Sequence, residues 1–323
     1  MTRLTQWIFV GDLETLRRMA GLATPMSLRV AVTLRLPDRL LDSDATADEL
    51  AAELDLNPGA LDLLLAHLAT LGIVERTGVG YRTTALGANL TADADNGLAG
   101  LLDVNTAAGR ADLAFVELAH SVRTGEAAYP QRYGQGFWED LAEHPHLRES
   151  FDRQMTHRFR AEIPRFVAGF DWSRFESIVD VGGGQGDLLA AILAAHPHVR
   201  GHLLDLEPPA EFGEHERAQV TAGSFFDPLP ANADAYLLVD ILHNWDDEHA
   251  HRILARCAET GGRVLVIESV RPYTGFSLVM LIMFGGRDRT VDEYRALAEQ
   301  HGLVLDGVTE LTEQRSLLEF RKG

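Results

Sequence analysis

The run Leu242-His243-Asn244-Trp245-Asp246-Asp247 follows an apolar stretch, residues 235–242, and places an imidazole where a β-strand would end. An ordinary imidazole titrates near neutral pH, so a histidine held in a crevice can take a proton from a hydroxyl. The chain has 13 histidines, and His243 is singled out by its place rather than its type. Glu268 lies near the end of another apolar stretch, residues 263–270. Asp288 lies in Phe284-Gly285-Gly286-Arg287-Asp288-Arg289-Thr290, a turn ahead of a helix expected from about Val291. Two carboxylates beside a histidine can hold its ring and stabilise its cationic form. Each also has a plainer reading. Glu268 reads equally as a strand-end surface residue, and Asp288 as an ion-pair partner of Arg287 or Arg289.

A second constellation is Asp180-Val181-Gly182-Gly183-Gly184-Gln185-Gly186-Asp187, which closes the β-like stretch 177–181 and opens a helix. Glycines there permit a tight turn and close approach of a ligand to the backbone. The dinucleotide fingerprint starting at Gly182 would need glycine at 187, where Asp187 stands. Gly182 and Gly184 sit instead between two carboxylates, Asp180 and Asp187. That is a poor cradle for pyrophosphate and a suitable one for a ligand with a cationic end. Asp205, with Leu206 beside it, ends the stretch 201–206, where an acid accepts hydrogen bonds from ribose hydroxyls. Gly223-Ser224-Phe225-Phe226-Asp227-Pro228 reads as the turn after a third strand, and an aromatic there can pack on adenine. Nucleoside, positive charge and no phosphate together describe S-adenosylmethionine.

The elements that must position these residues follow from the hydrophobic pattern. After about residue 172, β-like runs at 177–181, 201–206, 235–242, 263–270 and a last pair near 303–321 alternate with helical segments. This predicts a parallel sheet covered by helices on both faces. The first half reads as helices. Thr24 and Pro25 read as the start of one. Thr46 with Glu49 has capping-box spacing, and Asn57-Pro58 opens a helix ended by Gly72. Extended pieces at 73–75 and 80–83 complete a winged-helix pattern. The helix at 58–72, which would read DNA in such a fold, contains no Lys or Arg. Residues 96–170 read as helical and aromatic, with 128–136 as a loop.

The 323 residues carry 29 Lys and Arg against 48 Asp and Glu, a net charge of −19, which repels nucleic acid and anionic lipid. The single cysteine, Cys257, excludes an intrachain disulfide. No apolar run is long enough to span a membrane, and Asp12 and Glu14 argue against a signal peptide. A cytoplasmic protein is expected.

The motifs VDVGGGQGDLL, GSFFDPLP, LHNWDDEHA, VLVIES and GGRDRT, in this order, resemble those of S-adenosylmethionine-dependent O-methyltransferases of the plant caffeate and bacterial polyketide type. Residues 109–141 resemble the branch of enediyne-pathway naphthoic acid O-methyltransferases. The resemblance implies a Rossmann-like α/β sheet with an N-terminal, all-helical, winged-helix-like dimerisation domain. It divides the chain into residues 1–95, a helical pocket region at 96–170 and a cofactor-binding domain at 171–323. It implies His243 as the base, with Glu268 and Asp288 flanking it, although glutamate is commoner at the latter position. Cofactor-binding positions fall on Asp180, Gly182, Gly184, Asp205, Leu206, Ser224, Phe225 and Val239. Ser224 stands where many members have aspartate, and Val239 where plant members have lysine.

The implied acceptor is an aromatic hydroxy acid in an apolar pocket, and no metal is expected. Phe151 and Met155 share a helix face at i, i+4; Met280 and Met283 precede the Gly285-Gly286 pair; Asn244 follows the base. Core packing is the plainer reading of the four apolar residues. A carboxylate on the acceptor would need a cation, and Arg17 on the first helix is the choice. A homodimer is expected, as is a partner that is neither nucleic acid nor membrane. Three other readings stay open: a non-methylating relative acting as hydroxylase or decarboxylase, an NAD-dependent oxidoreductase, and a winged-helix regulator.

Overall fold

The computed structural model describes residues 10–214, 216–271 and 275–323. The chain divides into two compact units between Gly109 and Arg110.

In the first unit, helices Val10–Ala20, Ala23–Thr33, Leu36–Arg39, Ala47–Leu54 and Pro58–Thr70 precede an antiparallel hairpin of β1 (Val74–Arg76) and β2 (Tyr81–Thr83). The Thr46–Glu49 capping box forms, with each partner covering the other's backbone N–H. Asn57 accepts from Ala60 N at 2.9 Å, and Gly72 turns the chain at φ 72°. The second helix begins earlier than expected, at Ala23 with Leu22 as its cap. Thr24 and Pro25 therefore lie in its first turn, where the missing proline N–H leaves no bond unmade. Leu61, Leu65 and Leu68 bury the inner face of Pro58–Thr70 against Leu36, Leu40 and Leu50.

The second unit carries a seven-stranded sheet. Its strands are β3 (Ser177–Val181), β4 (Arg200–Asp205), β5 (Ala218–Ala222), β6 (Ala235–Val239), β7 (Arg263–Glu268), β8 (Leu303–Glu310) and β9 (Ser316–Lys322). Their spatial order is β5-β4-β3-β6-β7-β9-β8. The first five are parallel, whereas β9 runs antiparallel between β7 and β8. The expectation of a parallel sheet thus fails at its last pair: the short connection Leu311–Arg315 suffices for a hairpin, and a parallel return needs a longer crossover.

Alternation on β3 sends Val179 and Val181 to one face and Ile178 to the other. Helices Asp247–Thr260 and Val291–Glu299 cover the first face through Ile253, Leu254 and Leu297. Helices Asp187–Ala195 and Ile163–Gly169 cover the second through Leu189, Ile192 and Phe166. β3 is the switch point, with β4 on one side and β6 on the other, so a crevice opens at the carboxyl ends of these strands. Residues 128–136, expected as a loop, hold a short helix, Tyr129–Tyr133. Pro130 lies in its first turn and Gly134 ends it at φ 82°. Among the described residues no helix is long and apolar enough to cross a membrane.

Candidate functional site

β6 ends at Val239, and a single 3-10 turn, Leu242–Asn244, follows. That turn brings His243 over the end of neighbouring β7, where Glu268 is the last residue. Oε2 of Glu268 lies 3.0 Å from His243 Nδ1. Its Oε1 accepts from Leu242 N at 2.8 Å and from His243 N at 3.3 Å. Asp288 Oδ1 is 3.6 Å from the same Nδ1, and its Oδ2 accepts from Ser277 Oγ at 2.9 Å. His243, Glu268 and Asp288 are all buried. The structure therefore brings the three together, and Glu268 is no surface residue. The plainer reading of Asp288 made it an ion-pair partner of the neighbouring arginines, whose side chains have other partners here. Arg287 pairs with Glu293, while buried Arg289 donates to the carbonyls of Leu242 and Trp245 and to Asp247. Burial disfavours the charged imidazole, but Glu268, Asp240 and Asp288 outweigh it and push His243 up to about 10.

Asp240 is a residue that the sequence reading missed. It is a non-glycine residue in the left-handed region, at φ 51°. Arg315, in the turn before β9, donates to both its oxygens at 3.0 and 2.6 Å, and Arg158 Nη2 lies 3.2 Å away. These guanidiniums hold Asp240 well below the usual carboxylate range against the opposing effect of burial. Asp240, His243 and Glu268 present donor atoms within 4.8 Å of one another. The trio fits a cation poorly, because Asp240 already carries two guanidiniums and one oxygen of Glu268 holds two backbone N–H groups.

The glycine loop turns at Gly182, Gly184 and Gly186, with φ of 74°, 56° and 79°. A Cβ on Gly182 would lie 2.7 Å from Ile241 and 3.3 Å from the Phe225 ring, so that aromatic packs over the loop. Asp180 is buried beneath it, and its Oδ1 has no hydrogen-bond partner among the described residues. Burial, and secondarily Asp205, push it up to about 7. Asp205 Oδ2 accepts from Gly184 N at 2.9 Å, joining the ends of β3 and β4. Leu206 beside it is 56% exposed. Ser224 Oγ accepts from Phe226 N at 3.2 Å. Val239 is half-buried against the second face of the sheet.

One helix, Pro145–Arg160, reaches three parts of this arrangement. Arg148 binds both oxygens of Asp152 at 3.0 Å and reaches Asp205 at 3.5 Å. Thr156 donates to Asp187 at 3.0 Å, and Arg158 meets Asp240. Phe151 of the same helix meets Phe137 and Trp138 edge-on at ring centroid distances of 5.6 and 5.5 Å. Trp138 stacks on Phe284 at 5.3 Å, in the helix Gly275–Phe284 that also carries buried Met280 and Met283. Met155 is half-buried. Asn244 turns its amide back to the Asp240 carbonyl at 3.0 Å. Arg17 is exposed on Val10–Ala20 of the first unit. Arg148 and Arg158 recur ten residues apart on one helix, but spacing alone did not mark them, since arginines on an exposed helix usually face solvent.

Comparison with known proteins gives consistent matches. A profile of the O-methyltransferase domain matches residues 115–304, and one of the O-methyltransferase dimerisation domain matches residues 16–93. A 2,7-dihydroxy-5-methyl-1-naphthoate 7-O-methyltransferase from Streptomyces carzinostaticus is 47% identical over 306 residues, covering 90% of this chain and 92% of its own. Aclacinomycin 10-hydroxylase RdmB from Streptomyces purpurascens is 41% identical, covering 96% and 90%. Among solved structures, the O-methyltransferase NcsB1 from neocarzinostatin biosynthesis, in complex with S-adenosylmethionine and 2-hydroxy-5-methyl naphthoic acid, superposes with a TM-score of 0.90. It is 45% identical and covers 95% of this chain and 98% of its own.

Proposed function

Given that this chain belongs to the S-adenosylmethionine-dependent O-methyltransferase family, we propose that it methylates a hydroxyl of a naphthoic or similar aromatic acid, with His243 as the base. The observation that carries the reading is the imidazole of His243, whose Nδ1 faces Glu268 at 3.0 Å and Asp288 at 3.6 Å. That contact leaves Nε2 as the nitrogen for an acceptor hydroxyl.

The glycine loop fits the cofactor by its donor set. It has a buried carboxylate oxygen lacking a partner, a turn closed by Phe225 and no lysine or arginine for a pyrophosphate. Asp180, Gly182 and Gly184 would hold the amino acid end. Asp205 and Leu206 would hold the ribose, and Ser224, Phe225 and Val239 the adenine side. When bound, S-adenosylmethionine supplies a methyl group on a sulfonium.

His243 and its neighbours govern the proton. A phenol titrates near 10, and the buried carboxylates bring His243 to about 10 as well. The ring in its neutral form is the species that accepts a proton, and with the two so matched the acceptor proton passes to its Nε2 at little cost, leaving the oxygen nucleophilic; activity therefore rises with pH toward 10. Glu268 and Asp288 orient the ring and balance the charge it gains. Phe151, Met155, Met280 and Met283 would form the apolar wall for the aromatic rings, Asn244 would stay near the reacting oxygen, and Arg17 would meet an acceptor carboxylate. Within the proposal, residues 1–95 form the dimerisation domain of a cytoplasmic homodimer, 96–170 the pocket region and 171–323 the catalytic domain. A small aromatic acceptor is its partner, rather than nucleic acid or membrane.

A second reading, hydroxylation, is favoured by the 41% identity to a hydroxylase. Aerobic incubation with S-adenosylmethionine, a dihydroxynaphthoic acid and a thiol reductant, so that dioxygen and electrons for hydroxylation are present, followed by mass spectrometry, separates them. A gain of one CH2 unit is expected; a gain of one oxygen without methyl transfer overturns the first reading.

A further inference from the structure

We propose that Asp240 is a positioning residue of the methyl transfer: clamped by Arg315 and Arg158, it serves as a third carboxylate around His243 and sets how firmly the ring keeps its proton. The inference rests on the reading of His243 as the base.

Several observations converge on Asp240. Its backbone is left-handed at φ 51°, a conformation that non-glycine residues hold only where the surroundings enforce it. The enforcement is visible. Arg315 Nε and Nη2 grip the two carboxylate oxygens at 3.0 and 2.6 Å, and Asn244 Nδ2 donates to the Asp240 carbonyl at 3.0 Å. Arg315 is held in turn by both oxygens of Glu162 through Nη1, at 2.8 and 2.6 Å. Arg158, its guanidinium 4.8 Å from the Phe276 ring centroid, adds the ion pair at 3.2 Å.

Asp240 does not need to bond the imidazole to act on it. A donor oxygen within 4.8 Å, in a site that excludes water, exerts a strong Coulomb attraction on imidazolium. Among the described residues, the carboxylates facing the ring are Glu268 from β7, Asp288 from the turn after Gly275–Phe284 and Asp240 from the end of β6. Arg158 approaches from Pro145–Arg160, and Tyr294, from Val291–Glu299, lies close to Glu268, Asp288 and Asp240. Arg158 and Arg315 temper the acids, so removing Asp240 and removing Arg158 should act in opposite directions.

The test measures His243 ring titration by NMR on isotopically labelled protein, together with the pH dependence of kcat/KM. In Asp240→Asn, ring titration and the limb of the pH profile should both move to lower pH by at least one unit, with S-adenosylhomocysteine affinity held within threefold. In Arg158→Gln, ring titration should move upward. An Asp240→Asn ring that titrates where the wild type does overturns the proposal, whatever happens to the rate. If Asp240→Asn does not fold, an Arg158→Gln ring that is unmoved or shifted downward overturns it. A ring that shifts while the pH profile stays fixed leaves Asp240 in place electrostatically and sinks the reading of His243 as base.

Discussion

Glu268 holds His243 twice: one carboxylate oxygen lies 3.0 Å from Nδ1, and the other accepts the backbone N–H of His243 itself. A strand-end acid thereby fixes both the ring and the turn that carries it, with no solvent to relax either. His243→Ala should lower methyl transfer by roughly 10²–10⁴-fold, the usual contribution of a positioned base. Binding of S-adenosylhomocysteine should survive, because the glycine loop is built from β3 and β4 rather than from this turn. An unchanged single-turnover rate would remove His243 from the chemistry.

The same ring makes stability depend on pH with a definite sign. Its ordinary value of 6.5 rises to about 10 in the folded chain, so folding favours the protonated form. That contribution is fully present below pH 6.5 and is lost as pH rises through 10. Urea unfolding across this window should show wild-type stability falling more steeply than that of His243→Gln. Parallel curves for the two proteins would show that the ring is not protonated in the fold.

Asp180 has the opposite linkage. Burial lifts it from 3.8 to about 7, so its protonated form is the one folding favours, and stability is lost as pH rises from 3.8 through 7. A ligand with a cationic end favours the ionised form, so binding should release a proton. Calorimetry with S-adenosylhomocysteine near pH 6.5, in buffers of different ionisation enthalpy, should report that release, and Asp180→Asn should abolish it. Equal heats in all buffers would place the cationic end elsewhere.

Strand and motif positions were legible because local signals agreed. The run SIVDV is β3 residue for residue, and the carboxyl-end positions of His243 and Glu268 follow from two neighbouring parallel strands. Asp288 was placed only by its turn, and its approach to the ring depends on Gly286, which packs against the His243 carbonyl. Asp240, Arg158 and Arg315 were not legible. Arg315 lies 75 residues from Asp240 and comes from the antiparallel β9 hairpin, whose insertion beside β7 no local pattern announces. Arg148 is hidden for a related reason: helical periodicity marks apolar faces, whereas its partner Asp205 is 57 residues away on another element.

Arg148 gives a prediction of its own. It joins Asp152 on its helix to Asp205 at the end of β4, all partly buried. Arg148→Ala leaves Asp152 and Asp205 near each other with the cation between them gone, so cofactor affinity should fall by about tenfold, a 1.4 kcal/mol effect. Asp205→Ala should weaken binding further, because the candidate ribose acceptor itself is lost. A double variant no weaker than Asp205→Ala would show that Arg148 acts through Asp205, and full additivity would show that it does not.

Gly286 tests the base turn without touching an ionisable group. Its φ is unremarkable, so alanine is not excluded by backbone conformation; the obstacle is space. A Cβ at this position would strike the carbonyl oxygen of His243 and lie 2.5 Å from the Asn244 carbonyl carbon, which are backbone atoms that cannot swing aside. Gly286→Ala must therefore push the Leu242–Asn244 turn away from the segment bearing Asp288, widening the 3.6 Å approach to His243. Turnover should fall by about 10²-fold, as expected when a reacting group is misplaced by an ångström. Affinity for S-adenosylhomocysteine should change little, since Gly182 and Asp205 do not move. Normal turnover in a folded Gly286→Ala protein would mean that the turn tolerates displacement and that the contact between Asp288 and His243 is dispensable.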